Sequence, residues 1–115
     1  MRTHRFLALL ICLSVTPAFA VNLGFMRRTP MTEFSREDTR LFNEALTGVL
    51  EDTSFTGTRE WGAPGSQAGG SITVVPDPSL KDGCRKLRVA NHSRTLRNEG
   101  EYVLCKRKGQ WELAN

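Results

Sequence analysis

Hydrophobic residues along this chain change their spacing twice, and each spacing predicts a different element. From Phe6 to Val15 they are nearly continuous, behind a basic head (Arg2, Arg5) and ahead of Ala18-Phe19-Ala20. That order is a secretory signal peptide over residues 1–20, with an apolar run too short for a comfortable membrane span. Beyond Ser35, apolar side chains recur at Leu41, Phe42, Ala45, Leu46, Val49 and Leu50. This is the 3.6-residue period of an amphipathic helix, expected over 36–51. Ser35 is placed to cap it, Asp38 completes a capping box, and Glu37 and Asp38 lie at the positive end of the helix dipole. Gly48 weakens the helix by about 1 kcal/mol relative to alanine, so tertiary packing has to hold it. The polar face is mixed and leans acidic, which favours core packing over a membrane surface.

From Thr56 onward the period becomes two. Strands are expected over 56–61, 71–75, 85–90, 101–106 and 110–113, with Trp61, Ile72, Val74, Trp111 and Leu113 facing inward. Turn-rich residues from Gly62 to Gly70, Pro76-Asp77-Pro78 and Asp82-Gly83 separate them. Between Ala90 and Glu101 a polar stretch with Asn98-Glu99-Gly100 reads as a hairpin with a longer than minimal connection. The fold class is α+β: one N-terminal amphipathic helix on a four- or five-stranded antiparallel meander. Residues 21–34, broken by Gly24 and Pro30, read as a flexible lead, and 35–115 as the folded domain.

Signal cleavage changes the cysteine count. Cys12 belongs to the discarded apolar run, and Ile11 stands where a lipobox requires a small residue. Cys84 and Cys105 remain, an even pair in an exported chain, and are expected to form a disulfide across the hairpin. The mature chain, Val21–Asn115, has 95 residues, enough for one modest core, and its net charge falls from +4 to +2 as Arg2 and Arg5 leave. Residues 21–80 carry five basic and eight acidic side chains, whereas residues 81–108 carry nine basic and three acidic. Within the basic stretch Arg85, Arg88, Lys106, Arg107 and Lys108 are the candidate contacts for an anionic envelope polymer. Tyr102 is its one aromatic, which argues against nucleic acid, and solvated charges guarding sheet edges are the competing explanation.

The order of several features resembles the C-terminal domain of the rickettsial-type surface antigen family, relatives of glycine-zipper outer-membrane lipoproteins. The features are Ser35 and Asp38, Ala45-Leu46 and Leu50, Trp61 and Pro64, and Gly70 before Ile72-Thr73-Val74. They continue through Cys84-Arg85 to Cys105 and Gly109 before Trp111. The chain departs from that family in lacking a lipobox cysteine and a glycine zipper, so lipid anchoring does not carry over. The resemblance implies an exported envelope protein without catalytic activity or cofactor, in the periplasm, at the outer membrane or on the cell surface.

Candidate chemistry is sparse. His92 is the one histidine of the mature chain and reads as a solvated loop residue in Asn91-His92-Ser93, which also matches an N-glycosylation acceptor. Cys84 and Cys105 lack the short paired spacing of a zinc site. Glu99 and Glu101 share a strand face and read as surface charges rather than a glycosidase pair. Gly62 to Gly70 is followed by a strand, not by the helix that a phosphate-cradling loop requires. The expected function is therefore a structural or interaction role in the bacterial envelope. The alternative is a secreted binding module or inhibitor of a cell-wall hydrolase or host enzyme, presenting the loop 91–98.

Overall fold

A computed structural model describes residues 29–114. The expected signal segment, Cys12 and the first part of the expected lead lie outside the described residues. One α-helix packs on a five-stranded antiparallel sheet, the α+β arrangement expected from the change of period.

Helix α1 spans Arg36–Glu51, and its start follows from side-chain chemistry. The Asp38 amide donates to Ser35 Oγ at 3.1 Å, and the Ser35 amide donates to Asp38 Oδ2 at 2.9 Å. Two otherwise orphaned donors of the first turn are thereby satisfied. Phe42, Ala45, Leu46, Val49 and Leu50 make the buried stripe. Gly48 has a tertiary reason: a Cβ there would run into the Arg59 guanidinium, which lies 4.7 Å from the Phe55 ring centroid.

The strands are β1 (Thr58–Trp61), β2 (Gly69–Val74), β3 (Cys84–His92), β4 (Arg97–Arg107) and β5 (Gln110–Leu113), in that order across the sheet. Trp61, Ile72, Leu87, Val89, Leu104 and Trp111 are buried with the helix stripe in one core. Their alternation with exposed neighbours places them on the helix-covered face. Trp61 packs edge-on against Phe34 at 5.0 Å and lies 5.4 Å from Phe42.

Three expectations change. The lead over 21–34 is not a free tail to its end. Pro30–Glu33 form a 3-10 turn capped by Thr29, Pro30 is buried, and Phe34 joins the aromatic cluster. The central hairpin is also longer than the sequence suggests. β3 continues to His92, β4 begins at Arg97, and nine residue pairs join them from Cys84↔Cys105 to His92↔Arg97. Polar residues with low strand propensity still pair here, because long neighbouring strands supply backbone partners. Finally, β2 starts at Gly69, two residues earlier than expected.

Cys84 and Cys105 face each other in that ladder and are disulfide-bonded, with Cα atoms 4.0 Å apart. The neighbouring Gly83–Lys106 pair is hydrogen-bonded, since the Lys106 amide donates to Gly83 O at 2.9 Å. The cystine therefore occupies a non-hydrogen-bonded position, where opposed side chains approach most closely.

Candidate functional site

The five basic candidates do not form one patch, because period-two alternation sends them to different faces. Arg85 points under the sheet to the C-terminal end of α1. Its Nη1 donates to Val49 O at 2.5 Å and Asp52 O at 2.7 Å, and its Nη2 to Phe55 O at 2.5 Å. α1 has no basic residue in its own last turn, so a guanidinium from β3 caps its negative end. Lys106 acts beside it. Its Nζ lies 3.0 Å from both carboxylate oxygens of Glu51, and Trp111 Nε1 donates to Glu51 Oε1 at 2.9 Å. The Trp111 hydrogen bond first, and then Lys106, hold the Glu51 carboxyl below its ordinary value.

Arg88 faces the open side of the sheet, where its Nη2 lies 2.7 Å from Glu101 and its Nε 4.0 Å from Glu99. Lys86 on the same side is 3.4 Å from Asp77 and 3.9 Å from Glu101. Arg107 and Lys108, at the β4–β5 turn, are exposed and make no ion pair among the described residues. Four cations of 81–108 are thus ion-paired, Lys86, Arg88, Arg94 and Lys106, with Asp77, Glu99, Glu101, Glu33 and Glu51 as their acids. Arg85 and Lys106 are structural groups, Arg88 is paired, and Arg107 and Lys108 remain accessible to an anion.

The loop 91–98 also contracts. Asn91 and His92 end β3, Arg97 and Asn98 begin β4, and only residues 93–96 turn. Glu33 fixes that turn from outside the hairpin. Its Oε1 accepts from Ser93 Oγ and Thr95 Oγ1, each at 2.7 Å, and from the Thr95 amide at 3.1 Å. The Ser93 bond first, then Thr95, keep the Glu33 carboxyl below its ordinary value. Leu96 is the one large apolar side chain exposed among the described residues.

Asn91 is buried, and its Oδ1 accepts from Trp61 Nε1 at 3.1 Å. The glycosylation match is therefore closed by the fold. Asn91 Nδ2 has no partner among the described residues, a cost of about 1–3 kcal/mol that the Trp61 bond only partly offsets. His92 lies on β3 and is half-buried, not in a solvated loop.

The open face carries a shallow trough of about 590 Å³, which sequence reasoning missed. Register places Glu60, Ser71, Ala90 and Glu99 in one row across β1 to β4, with His92 and Arg97 at the end. Ser71 and Ala90 are too small to fill the floor, and longer side chains rise around them. Three strand spacings separate the Glu60 and Glu99 backbones, roughly 14 Å, so the two glutamates stand at opposite sides of the trough. The small residues were visible in the sequence, but their alignment depends on register. No protein-family model, curated protein or solved structure matches the chain.

Proposed function

We propose that the chain is a non-catalytic exported protein of the bacterial envelope with a structural or interaction role, in line with the surface-antigen resemblance. The observation that carries this reading is the Cys84–Cys105 cystine, set in register between two long strands on the uncovered sheet face. Such a bond persists in an oxidising compartment and is rare in a reducing one. The hydrogen-bonded acids support the same reading, since they hold the fold together. Asp38 caps α1, Glu33 fastens the hairpin turn, Glu51 joins α1 to β4 and β5, and Asp77 bonds Ser79 and Lys86.

Partner chemistry follows from the charges. With Arg85, Arg88 and Lys106 engaged, an envelope protein is a better-fitting partner than an anionic polymer. The test is to express the full chain with a C-terminal tag in a bacterial host, fractionate the cells and weigh the protein intact. The expected result is a species beginning at Val21, two hydrogens lighter than its reduced form, in the periplasmic or outer-membrane fraction. Retained Met1 with three free thiols in the cytosol overturns the proposal.

One observation favours a second reading, the secreted inhibitor. The turn 93–96 is held by three bonds to Glu33 and presents Leu96, so a projecting segment is ordered before any partner arrives. Leu96→Asp should abolish binding to the target if this reading holds, whereas Ala90→Arg on the open face should spare it. The reverse ranking assigns the contact to the open sheet face.

A further inference from the structure

We propose that the Cys84–Cys105 cystine is a redox-sensitive latch for the C-terminal end of α1, acting through Arg85. Cys84 and Cys105 face the uncovered side of the sheet and are half-buried, within reach of a small thiol. The residue after each cysteine faces the other side and holds the helix end. Arg85 donates to Val49, Asp52 and Phe55 carbonyls, and Lys106 pairs with Glu51.

The two sides of the latch are unequally supported. Lys106 lies between β3 and β5, with Trp111 as its β5 partner. Cys84 and Arg85 lie beyond the end of β2, whose register with β3 stops at Val74↔Leu87 and whose last bond runs from the Val75 amide to Lys86 O. At that end of β3 only β4 flanks the chain. The cystine is therefore the covalent part of what fixes the Arg85 backbone, and Arg85 in turn fixes the helix end. The opposite end of α1 is held independently, by the capping box and by Ser66 Oγ donating to Asp38 Oδ1 at 2.8 Å.

The reductant is a dithiol. Its thiolate attacks one cystine sulfur and displaces the other as a thiolate, which takes a proton. The second thiol of the reagent then displaces the mixed disulfide, so that two cysteine thiols and one oxidised cyclic reagent result. Freed of the cross-link, the first two residues of β3 fray, Arg85 leaves its three carbonyls, and the last turn of α1 opens while the sheet stays formed.

Hydrogen exchange on the full mature chain, oxidised or reduced with dithiothreitol, tests this. Amides at 50–55 should exchange at least about tenfold faster after reduction, the effect of losing one charge-assisted hydrogen bond. Amides at 39–46 and in β2 open with the whole domain and should accelerate only by as much as global stability falls on reduction, measured by urea unfolding in parallel, which leaves them better protected than 50–55. Arg85→Met in the oxidised protein should reproduce the same local acceleration, and reducing that variant should add nothing further at 50–55. Arg85→Lys, which keeps the charge but cannot reach three carbonyls at once, gives the milder form and carries the test if Arg85→Met does not fold. Unchanged exchange at 50–55 on reduction overturns the latch. So does protection at 50–55 equal to that at 39–46 and in β2 after reduction, or an Arg85 substitution that leaves 50–55 protected.

Discussion

Arg85 and Arg88 stand on one strand, three positions apart, and the odd interval puts them on opposite faces. Arg85 is half-buried and donates to three backbone carbonyls, whereas the Arg88 side chain is 47% exposed beside two glutamates. Arg85→Met should therefore cost about 1.5–3 kcal/mol, as for hydrogen bonds from a charged donor. Arg88→Ala should stay within about 0.5 kcal/mol, as for exposed ion pairs. Urea unfolding of the two variants side by side checks the contrast, and equal losses would mean that Arg85 does not cap α1. Lys108 makes a different residue-scale case. Its φ is 51° and that of Gly109 is 77°, the paired positive values of a two-residue hairpin turn. Lysine carries a Cβ penalty there that asparagine offsets better, so Lys108→Asn should raise stability by about 0.5 kcal/mol. A lower melting temperature would mean that the Lys108 side chain stabilises the turn through contacts.

At the scale of the element, α1 is closed at its two ends by different means. Its N-terminus is closed locally, by Ser35 and Asp38, and its C-terminus remotely, by Arg85 and Lys106. Ser35→Ala should cost about 1 kcal/mol. The pH dependence follows from Asp38. The Ser35 amide first, with the Ser66 and Ser35 hydroxyls, lowers its carboxyl below the ordinary 3.8, against a smaller opposing effect of burial. A depressed carboxyl stabilises fully above its unfolded value and loses that contribution as pH falls through the folded one. Glu33, Glu51, Asp52 and Asp77 are shifted the same way. Stability should thus be flat from neutral pH to about 5 and fall below about 4. Asp38→Asn should make that fall shallower in thermal melts. An unaltered acid limb would show that Asp38 titrates no differently in the folded and unfolded chain.

For the whole molecule, the cystine closes a loop of sequence separation 21 in a chain with one small core. Chain entropy assigns such a loop about 3 kcal/mol, against a total stability of about 5–10 kcal/mol for a domain of this size. Serine at both Cys84 and Cys105 should lower the denaturation midpoint accordingly, and a midpoint within error of the parent would remove the cystine from the list of principal supports. The ion-paired hairpin gives a whole-molecule expectation too. Binding to an anionic polymer such as heparin should be weak, lost by moderate salt and unchanged by Arg85→Met, since Arg85 is engaged with the end of α1 while Arg107 and Lys108 stand exposed at the β4–β5 turn. Tight binding reduced by Arg85→Met would restore the basic hairpin as a site.

The sequence by itself determined the elements and their order. Helical spacing from Leu41 to Leu50, the Ser35–Asp38 cap, alternation around Ile72 and the even cysteine pair are local signals, each readable within a few residues. It also contained the fold class, because one amphipathic helix and several alternating strands have few ways to bury their apolar faces. Tertiary structure decided what each charge does. Whether a lysine or arginine is accessible depends on strand register and on which acid stands opposite. Glu51 meets Lys106 and Glu33 meets Ser93 across separations of 55 and 60 residues. The trough, the capped helix end and the packing of Pro30–Glu33 arise in the same way. Each depends on which residues the assembled sheet makes neighbours, and no local periodicity records that.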